Sequence, residues 1–239
     1  MKVALFIPCF IEELRPAAGL ATARLLDRLE LDWRCPEGQT CCGQPAYNAG
    51  FAGEVLPAAR HFLDIFGTAE AVVSPSGSCV AMVRRYATLP GLEEDERRAF
   101  AKLGRSCFEL SDFLVSQLQR IDLGARFQGR AAFQDCCHSL RELGVSEQPR
   151  QLLAAVEGLE LVDQPGLDCC GFGGTYAVKM PELSVAQADA RLEALEDAGT
   201  DILIATDSSC LMHLETRARR LKVPFRGLHL AEILAGDES

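Results

Sequence analysis

An α/β fold built twice, as two similar Rossmann-like units with small parallel sheets, is what the sequence predicts. Three observations carry that expectation. Short apolar runs occur at residues 3–7, 71–73, 131–133 and 202–205, the form taken by strands buried on both faces. Helical periodicity fills the stretches between them, which implies parallel, helix-covered sheets. A cysteine pattern also recurs: Cys9, Cys41, Cys42 and Cys79 return as Cys137, Cys169, Cys170 and Cys210, at offsets of 128, 128, 128 and 131 residues. Chance placement rarely keeps such a register, so an internal duplication is expected.

In chain order, Pro8 stops the first apolar run and Cys9 lies just past its end. Pro16 opens a helix with Ala18, Ala21, Leu25 and Leu29 on one face. A short strand is expected at 31–34, then a turn at Pro36-Glu37-Gly38, then the doublet Cys41-Cys42-Gly43. The helix expected over 53–66 tolerates Pro57 in its first turn and turns Val55, Ala59, Phe62 and Phe66 inward. After the strand at 71–73, residues 74–78 read as a loop and Cys79 as the start of a helix. Helices over 92–103 and 110–119 complete a first unit, residues 1–122. Residues 122–129 hold two glycines and little periodicity, and mark the boundary.

The second unit, residues 130–239, repeats the plan. Its first strand leads to Asp135-Cys136-Cys137-His138. A helix at 149–156, a strand at 159–162 and a turn at Pro165-Gly166 precede the second doublet, Cys169-Cys170-Gly171. Pro181 opens a long helix marked by Val185, Ala188, Leu192 and Leu195. The strand at 202–205 leads to a helix beginning at Cys210, and a short helix at 228–234 closes the chain. In both units the recurrent cysteines follow the carboxyl ends of strands, where open α/β sheets place their ligands. The even spacing implies units packed face to face, with the sites near their interface.

Composition narrows the chemistry. With 239 residues, 48% hydrophobic and 24% charged, the chain can build an ordinary core. A net charge of −10 argues against binding nucleic acid or anionic lipid. No apolar run approaches the roughly 20 residues of a membrane span. The first residues read as a buried strand, not a signal peptide, so a cytoplasmic location is expected. Eleven cysteines, an odd number, in a chain this long point to metal or redox chemistry and not to a disulfide scaffold.

Cysteine thiolates are the soft donors that iron–sulfur clusters take. Adjacent cysteines diverge too much to serve one tetrahedral zinc well, but can serve different irons of one cluster. The glycine after each doublet allows close approach or a left-handed turn. Buried packing cysteines and a structural zinc site are the competing readings. Cys35 and Cys107 have no counterpart in the other half and are assigned to packing, while Cys136 is ambiguous. Asp135 and His138 either assist near a cluster, by hydrogen bonding or proton relay, or cap local backbone. His61, His213 and His229 are expected at the surface or the core edge. Gly171-Phe172-Gly173-Gly174 lacks the spacing of a dinucleotide loop, and its glycines read as room for close backbone approach.

Pro8-Cys9-Phe10, Gln39-Thr40-Cys41-Cys42-Gly43-Gln44-Pro45-Ala46, Pro75-Ser76-Gly77-Ser78-Cys79 and Cys169-Cys170-Gly171-Phe172-Gly173-Gly174-Thr175, with Lys179-Met180-Pro181-Glu182 beyond, carry a resemblance across both halves. The chain resembles the cysteine-rich CCG-domain family, which includes the cysteine-rich subunit of heterodisulfide reductase and the iron–sulfur subunits of glycolate oxidase and anaerobic glycerol-3-phosphate dehydrogenase. Within it, the lactate utilization protein A family is the closer match. The resemblance implies an iron–sulfur electron-transfer protein in the oxidation of L-lactate to pyruvate. It implies two partner proteins from the same system, one of them ferredoxin-like, and a 4Fe–4S cluster in one or both halves.

In the heterodisulfide reductase relative, five cysteines hold each cluster and the last two form Cys-x-x-Cys. Here Ser76 and Asp207 stand at the first position of that pair, which leaves four thiolates per half. The expected ligand sets are Cys9, Cys41, Cys42 and Cys79, and Cys137, Cys169, Cys170 and Cys210. The family's Asp-Pro-Cys-His appears as Asp135-Cys136-Cys137-His138, with Cys137 in the ligand position. A thiol–disulfide oxidoreductase, a glycolate oxidase-type iron–sulfur protein and a zinc-stabilised scaffold stand as rivals.

Overall fold

A computed structural model describes residues 1–162 and 169–236; the turn expected at Pro165-Gly166 lies outside the described residues. The first half runs β1 (Lys2–Leu5), α1 (Cys9–Leu14), α2 (Pro16–Arg28), β2 (Asp32–Arg34), α3 (Gln44–Asn48), a 3-10 turn (Ala52–Val55), α4 (Leu56–Phe66), β3 (Ala71–Ser74), α5 (Gly77–Arg85), a second 3-10 turn (Tyr86–Thr88), α6 (Glu94–Arg105), β4 (Cys107–Glu109) and α7 (Leu110–Asp112), extended by a π-helical turn (Phe113–Gln117). The second half runs β5 (Arg126–Gln134), a π-helical turn (Ser139–Leu143), α8 (Glu147–Ala154), β6 (Glu157–Val162), α9 (Tyr176–Lys179), α10 (Pro181–Asp197), β7 (Ile202–Ala205), α11 (Ser208–Leu221), β8 (Arg226–His229) and α12 (Leu230–Ala235).

The strands form two all-parallel sheets of identical order, β2-β1-β3-β4 and β6-β5-β7-β8. This is the duplicated α/β architecture the cysteine register implies. In each sheet the chain steps outward from its first strand and then returns to the other side. The direction of winding therefore switches between β1 and β3, and between β5 and β7. Crevices open at such switch points, beyond the carboxyl ends of the strands.

Proline places several helix starts where its missing N–H costs nothing: Pro16 and Pro181 open α2 and α10, and Pro57 sits in the first turn of α4. Several details differ from the sequence expectation: β1 ends at Leu5 rather than Ile7, the short helix α1 is not among the expected elements, and Leu228 and His229, expected in the closing helix, end β8. Strands β4 and β8 carry no sequence signal, because three or four residues ending in a polar side chain show no alternation. Helices α5 and α11 begin at Gly77 and Ser208, so Cys79 and Cys210 sit at their third positions rather than at their starts. Residues 126–129, assigned to the boundary, belong to β5, whose register shifts between Arg126 and Gly129. The short helices α3 and α9 follow the two doublets and carry too few residues for periodicity to reveal them.

The halves are not independent cores. One cluster of buried side chains joins Val3, Leu5, Leu25, Leu26 and Val73 to Phe127, Ala131, Leu152, Leu230 and Leu234. Helix α2 packs on α12, and α7 packs on α8, two contacts related by the same internal duplication. A separate cluster under α4, α5 and α6 belongs to the first half, and a smaller one around α10 and α11 to the second. Arg15 reinforces the junction by donating to the Gly227 carbonyl at 3.0 Å and pairing with Glu215.

Candidate functional site

All eight recurrent cysteines line one cavity of about 320 Å³ between the two sheets. Each set comes from three segments that follow the carboxyl ends of strands, two of them the strands flanking the switch point. Cys9 opens α1 after β1, the first doublet lies between β2 and α3, and Cys79 lies in the first turn of α5 after β3. In the second half, Cys137 follows β5, the second doublet precedes α9, and Cys210 lies in the first turn of α11 after β7.

The thiols form rows, and the rows match. Cys9 touches Cys41, Cys41 touches Cys42, and Cys42 touches Cys79. Cys137, Cys169, Cys170 and Cys210 repeat that order. In each row the first two thiols are half-buried and the last two buried, so both rows run from the cavity mouth into its floor. The second row has a fifth member: Cys136 is buried, lines the cavity and meets Cys210. Its counterpart before Cys9 is Pro8.

The first cysteine of each doublet is the preferred thiolate. Hydrogen bonds from Cys42 and then Cys9 hold Cys41 far below the usual thiol range, and the Gly43 N–H adds a third at 3.4 Å. Cys169 is lowered in the same way, by Cys137, Cys170 and the Gly171 N–H at 3.4 Å. The neighbours move in the opposite direction. Cys9 and Cys42 are raised chiefly by donating to Cys41, and Cys137 and Cys170 by donating to Cys169. One lowered sulfur per row beside raised neighbours is the pattern expected where thiols crowd together and share protons.

Backbone geometry explains the doublet glycines. Gly43 and Gly171 have φ of 81° and 89°, the left-handed region open to glycine. That turn directs each glycine N–H back onto the first cysteine of its doublet. Side chains then brace the loops. Gln39 donates to the Leu5 carbonyl at 3.0 Å and accepts from the Ile7 N–H at 2.8 Å, tying the first doublet to β1. Tyr86 donates to the Cys42 carbonyl at 2.8 Å, and Ser184 donates to the Gly171 carbonyl at 2.7 Å. Phe10 and Phe172 meet edge-to-face across the cavity at 5.5 Å between centroids, one from each half.

The remaining candidates separate. His138 lines the cavity with Nδ1 3.5 Å from Cys137 Sγ, and its other nitrogen lies 3.8 Å from Glu142, which pairs with Arg85 of the first half at 2.7 Å. Asp135 instead makes two bonds to Arg150, at 2.8 and 2.6 Å, and anchors its loop to α8. Cys107 is buried in β4 as packing requires, but Cys35 is exposed and contacts Gln39, so its assignment to packing is corrected. His61 is exposed and His213 half-buried. His229, expected at the surface or core edge, is buried: it ends β8, accepts from Ala231 N–H to cap α12, and donates to the Pro75 carbonyl at 2.9 Å. Gln39 and Pro75 lie inside the sequence motifs, but Tyr86 and Ser184 carry no signal there, because only tertiary packing brings them to the doublets.

Among the described residues, no three His, Cys, Asp or Glu side chains surround one point as they would for a single metal ion. The thiols are spread along rows, and thiolate sulfur is the soft donor that iron–sulfur centres take.

The model of the cysteine-rich (CCG) domain matches residues 3–84 and again 131–215, one match per half. Lactate utilization protein A of Geobacillus sp. (strain WCH70) is 44% identical over 236 residues, covering 98% of this chain and 99% of its own length. Lactate utilization protein A 1 of Bacillus mycoides (strain KBAB4) is 40% identical over 239 residues, covering 99% and 98%. Lactate utilization protein A of Bacillus subtilis (strain 168) is 40% identical over 238 residues, covering 98% and 99%. Among solved structures, an aspartate racemase homologue from Pyrococcus horikoshii OT3 aligns over 98% of this chain and 95% of its own, at 11% identity and a TM-score of 0.30.

Proposed function

The chain belongs to the cysteine-rich (CCG) domain family and to its lactate utilization protein A branch, and from that premise we propose that it is an iron–sulfur electron-transfer subunit of a system oxidising L-lactate to pyruvate. The observation that carries the reading is the pair of matching thiol rows at two switch points, opening on one cavity. Cys9, Cys41, Cys42 and Cys79 would hold one centre, of the 4Fe–4S kind. Cys137, Cys169, Cys170 and Cys210 would hold the other, with Cys136 within reach of it.

A bound iron–sulfur centre supplies one-electron redox chemistry. The chain's own contribution is the setting. Neighbouring thiols and a glycine N–H lower the Cys41 and Cys169 thiols, so negative charge on these two sulfurs is favoured. The last two thiols of each row are buried at the cavity floor, and the Phe10–Phe172 pair adds an apolar wall from both halves. Two one-electron sites on one cavity suit the two electrons that each lactate releases. Lactate itself would be oxidised with two partner proteins of the same system, one of them ferredoxin-like, in the cytoplasm. No helix among the described residues is long and apolar enough to cross a membrane.

The test is anaerobic purification followed by iron, acid-labile sulfide and zinc analysis. Iron and sulfide in equal amounts are expected; stoichiometric zinc without sulfide would overturn the reading. For the physiological role, deleting the gene in a strain with no other lactate oxidase should abolish growth on L-lactate. A thiol–disulfide enzyme is the second reading, favoured by the same lowered Cys41 and Cys169 thiols. It requires reversible disulfide formation in a chain lacking acid-labile sulfide.

A further inference from the structure

The segments carrying the last recurrent cysteine of each half meet at the midline of the molecule. Ser76 and Asp207 occupy the same place in them, each immediately before the first residue of its helix and three before its cysteine. They differ in charge, and neither has a role in the ligand sets. Asp207 is 3% exposed and lines the cavity. Its Oδ2 accepts from the Ser78 N–H at 3.0 Å and from the Ser76 hydroxyl at 3.4 Å, both in the opposite half. Its Oδ1 accepts from the Ser209 hydroxyl at 3.0 Å in its own half.

Helix α5 therefore starts in an unusual way. Its own preceding residue, Ser76, makes no side-chain cap bond. One of its first N–H groups is satisfied instead by a carboxylate from the other half of the chain, at the end where negative charge is favoured. Ser78, which donates that bond, is the residue directly before Cys79. The His229 bond to the Pro75 carbonyl holds the same segment from the same side.

We propose that Asp207 acts on both thiol sets: it is a positioning residue for the first, fixing the first turn of α5 and with it Cys79 from across the midline, and it places one negative charge beside both rows. The positional half of the proposal needs no metal. The electrostatic half rests on the iron–sulfur reading, since a fixed anion beside a centre disfavours adding an electron to it.

Two measurements on the full chain test it. The first is alkylation of individual cysteines in iron-free protein, followed by mass spectrometry, with buried Cys107 in β4 as the internal standard. Asp207→Ala should speed labelling of Cys79 about fivefold, the effect of losing a cap, with Cys107 unchanged. Asp207→Asn should act less, because an amide oxygen still accepts from Ser78. No change at Cys79, or equal acceleration at Cys107, would overturn the positional role. The second is redox titration of anaerobically loaded protein, followed by electron paramagnetic resonance. Asp207→Asn should favour the reduced state of both centres about tenfold, 59 mV for a one-electron couple. Unchanged potentials with full iron content would overturn the electrostatic role. Absence of iron and sulfide from the unaltered chain would defeat the electron-transfer reading and with it the electrostatic role, while the labelling result still decides the positional one.

Discussion

In the first half the thiol row ends at Cys79, and the position before its first cysteine is Pro8. In the second half the row continues past Cys210 to Cys136. The segment before Cys79 carries an uncharged Ser76, and the segment before Cys210 carries Asp207, which reaches over to cap the other helix. The last strand of the first sheet ends in buried Glu109, and that of the second in buried His229. Strand order and doublet geometry are shared, so these differences cannot come from architecture. Duplication kept what converges the thiols, while the two copies diverged at the groups that set charge and cross-contacts around them.

The largest effect should come from breaking the comparison outright. If the halves were separate domains, fragments 1–124 and 125–239 would each fold. The shared core around Leu25, Phe127 and Leu230 predicts that neither does, because each would expose its half of a common apolar face. Circular dichroism and thermal melting of each fragment and of their mixture will show it. A cooperative transition in either fragment alone would restore two independent domains.

Next is the independence of the two sites. Cys42→Ala and Cys170→Ala each remove a floor thiol from one row. If each row holds its own centre, each variant should keep about half of the iron and sulfide, and the double variant almost none. Loss of all iron from either single variant would mean that the rows share one centre.

The doublet glycines should then differ in tolerance. An alanine in the left-handed region costs roughly 1–2 kcal/mol at either position. At Gly171 the added Cβ would lie 2.4 Å from the Ser184 carbonyl oxygen, which is backbone; at Gly43 it would lie 2.7 Å from a Val55 methyl, which is side chain. Gly171→Ala should therefore lower the melting temperature more than Gly43→Ala. Equal losses would show that the second doublet loop relaxes as easily as the first.

The smallest effect contrasts the two strand ends by pH. Burial lifts Glu109 from 4.5 to about 7, against opposing hydrogen bonds from Ser111 and Asp112. Its contribution is complete below about 4.5 and is lost as pH rises through about 7. Burial lowers His229 below its ordinary 6.5, so its contribution is complete above 6.5 and is lost as pH falls below that value. Glu109→Gln should flatten the decline in stability between pH 4.5 and 7 by roughly 1–3 kcal/mol, and His229→Gln should weaken the loss of stability below pH 6.5. Urea melts across pH 4–8 will separate them, and parallel curves for both variants would remove the contrast.

The register of eight cysteines was enough to read the duplicated α/β plan, because a repeated spacing survives in the linear chain. Buried strands were legible as apolar runs, although β1 ends at Leu5, two residues short of the expected stop at Pro8. They were not at β4 and β8, where a polar Glu109 or His229 is buried by neighbours distant in sequence. Cys136 could not be assigned for the same reason: its meaning depends on Cys210, on another segment.

The sequence by itself determined which sulfurs come together within each half, since doublet, turn glycine and strand end are local features that force each row toward its own switch point. The even cysteine spacing already pointed to sites near the interface of the halves; only the folded chain shows that both rows open on one cavity, that a common core locks the halves together, and that Asp207 of one half holds the helix of the other. Those relations depend on contacts between residues more than a hundred positions apart, and no local propensity encodes them.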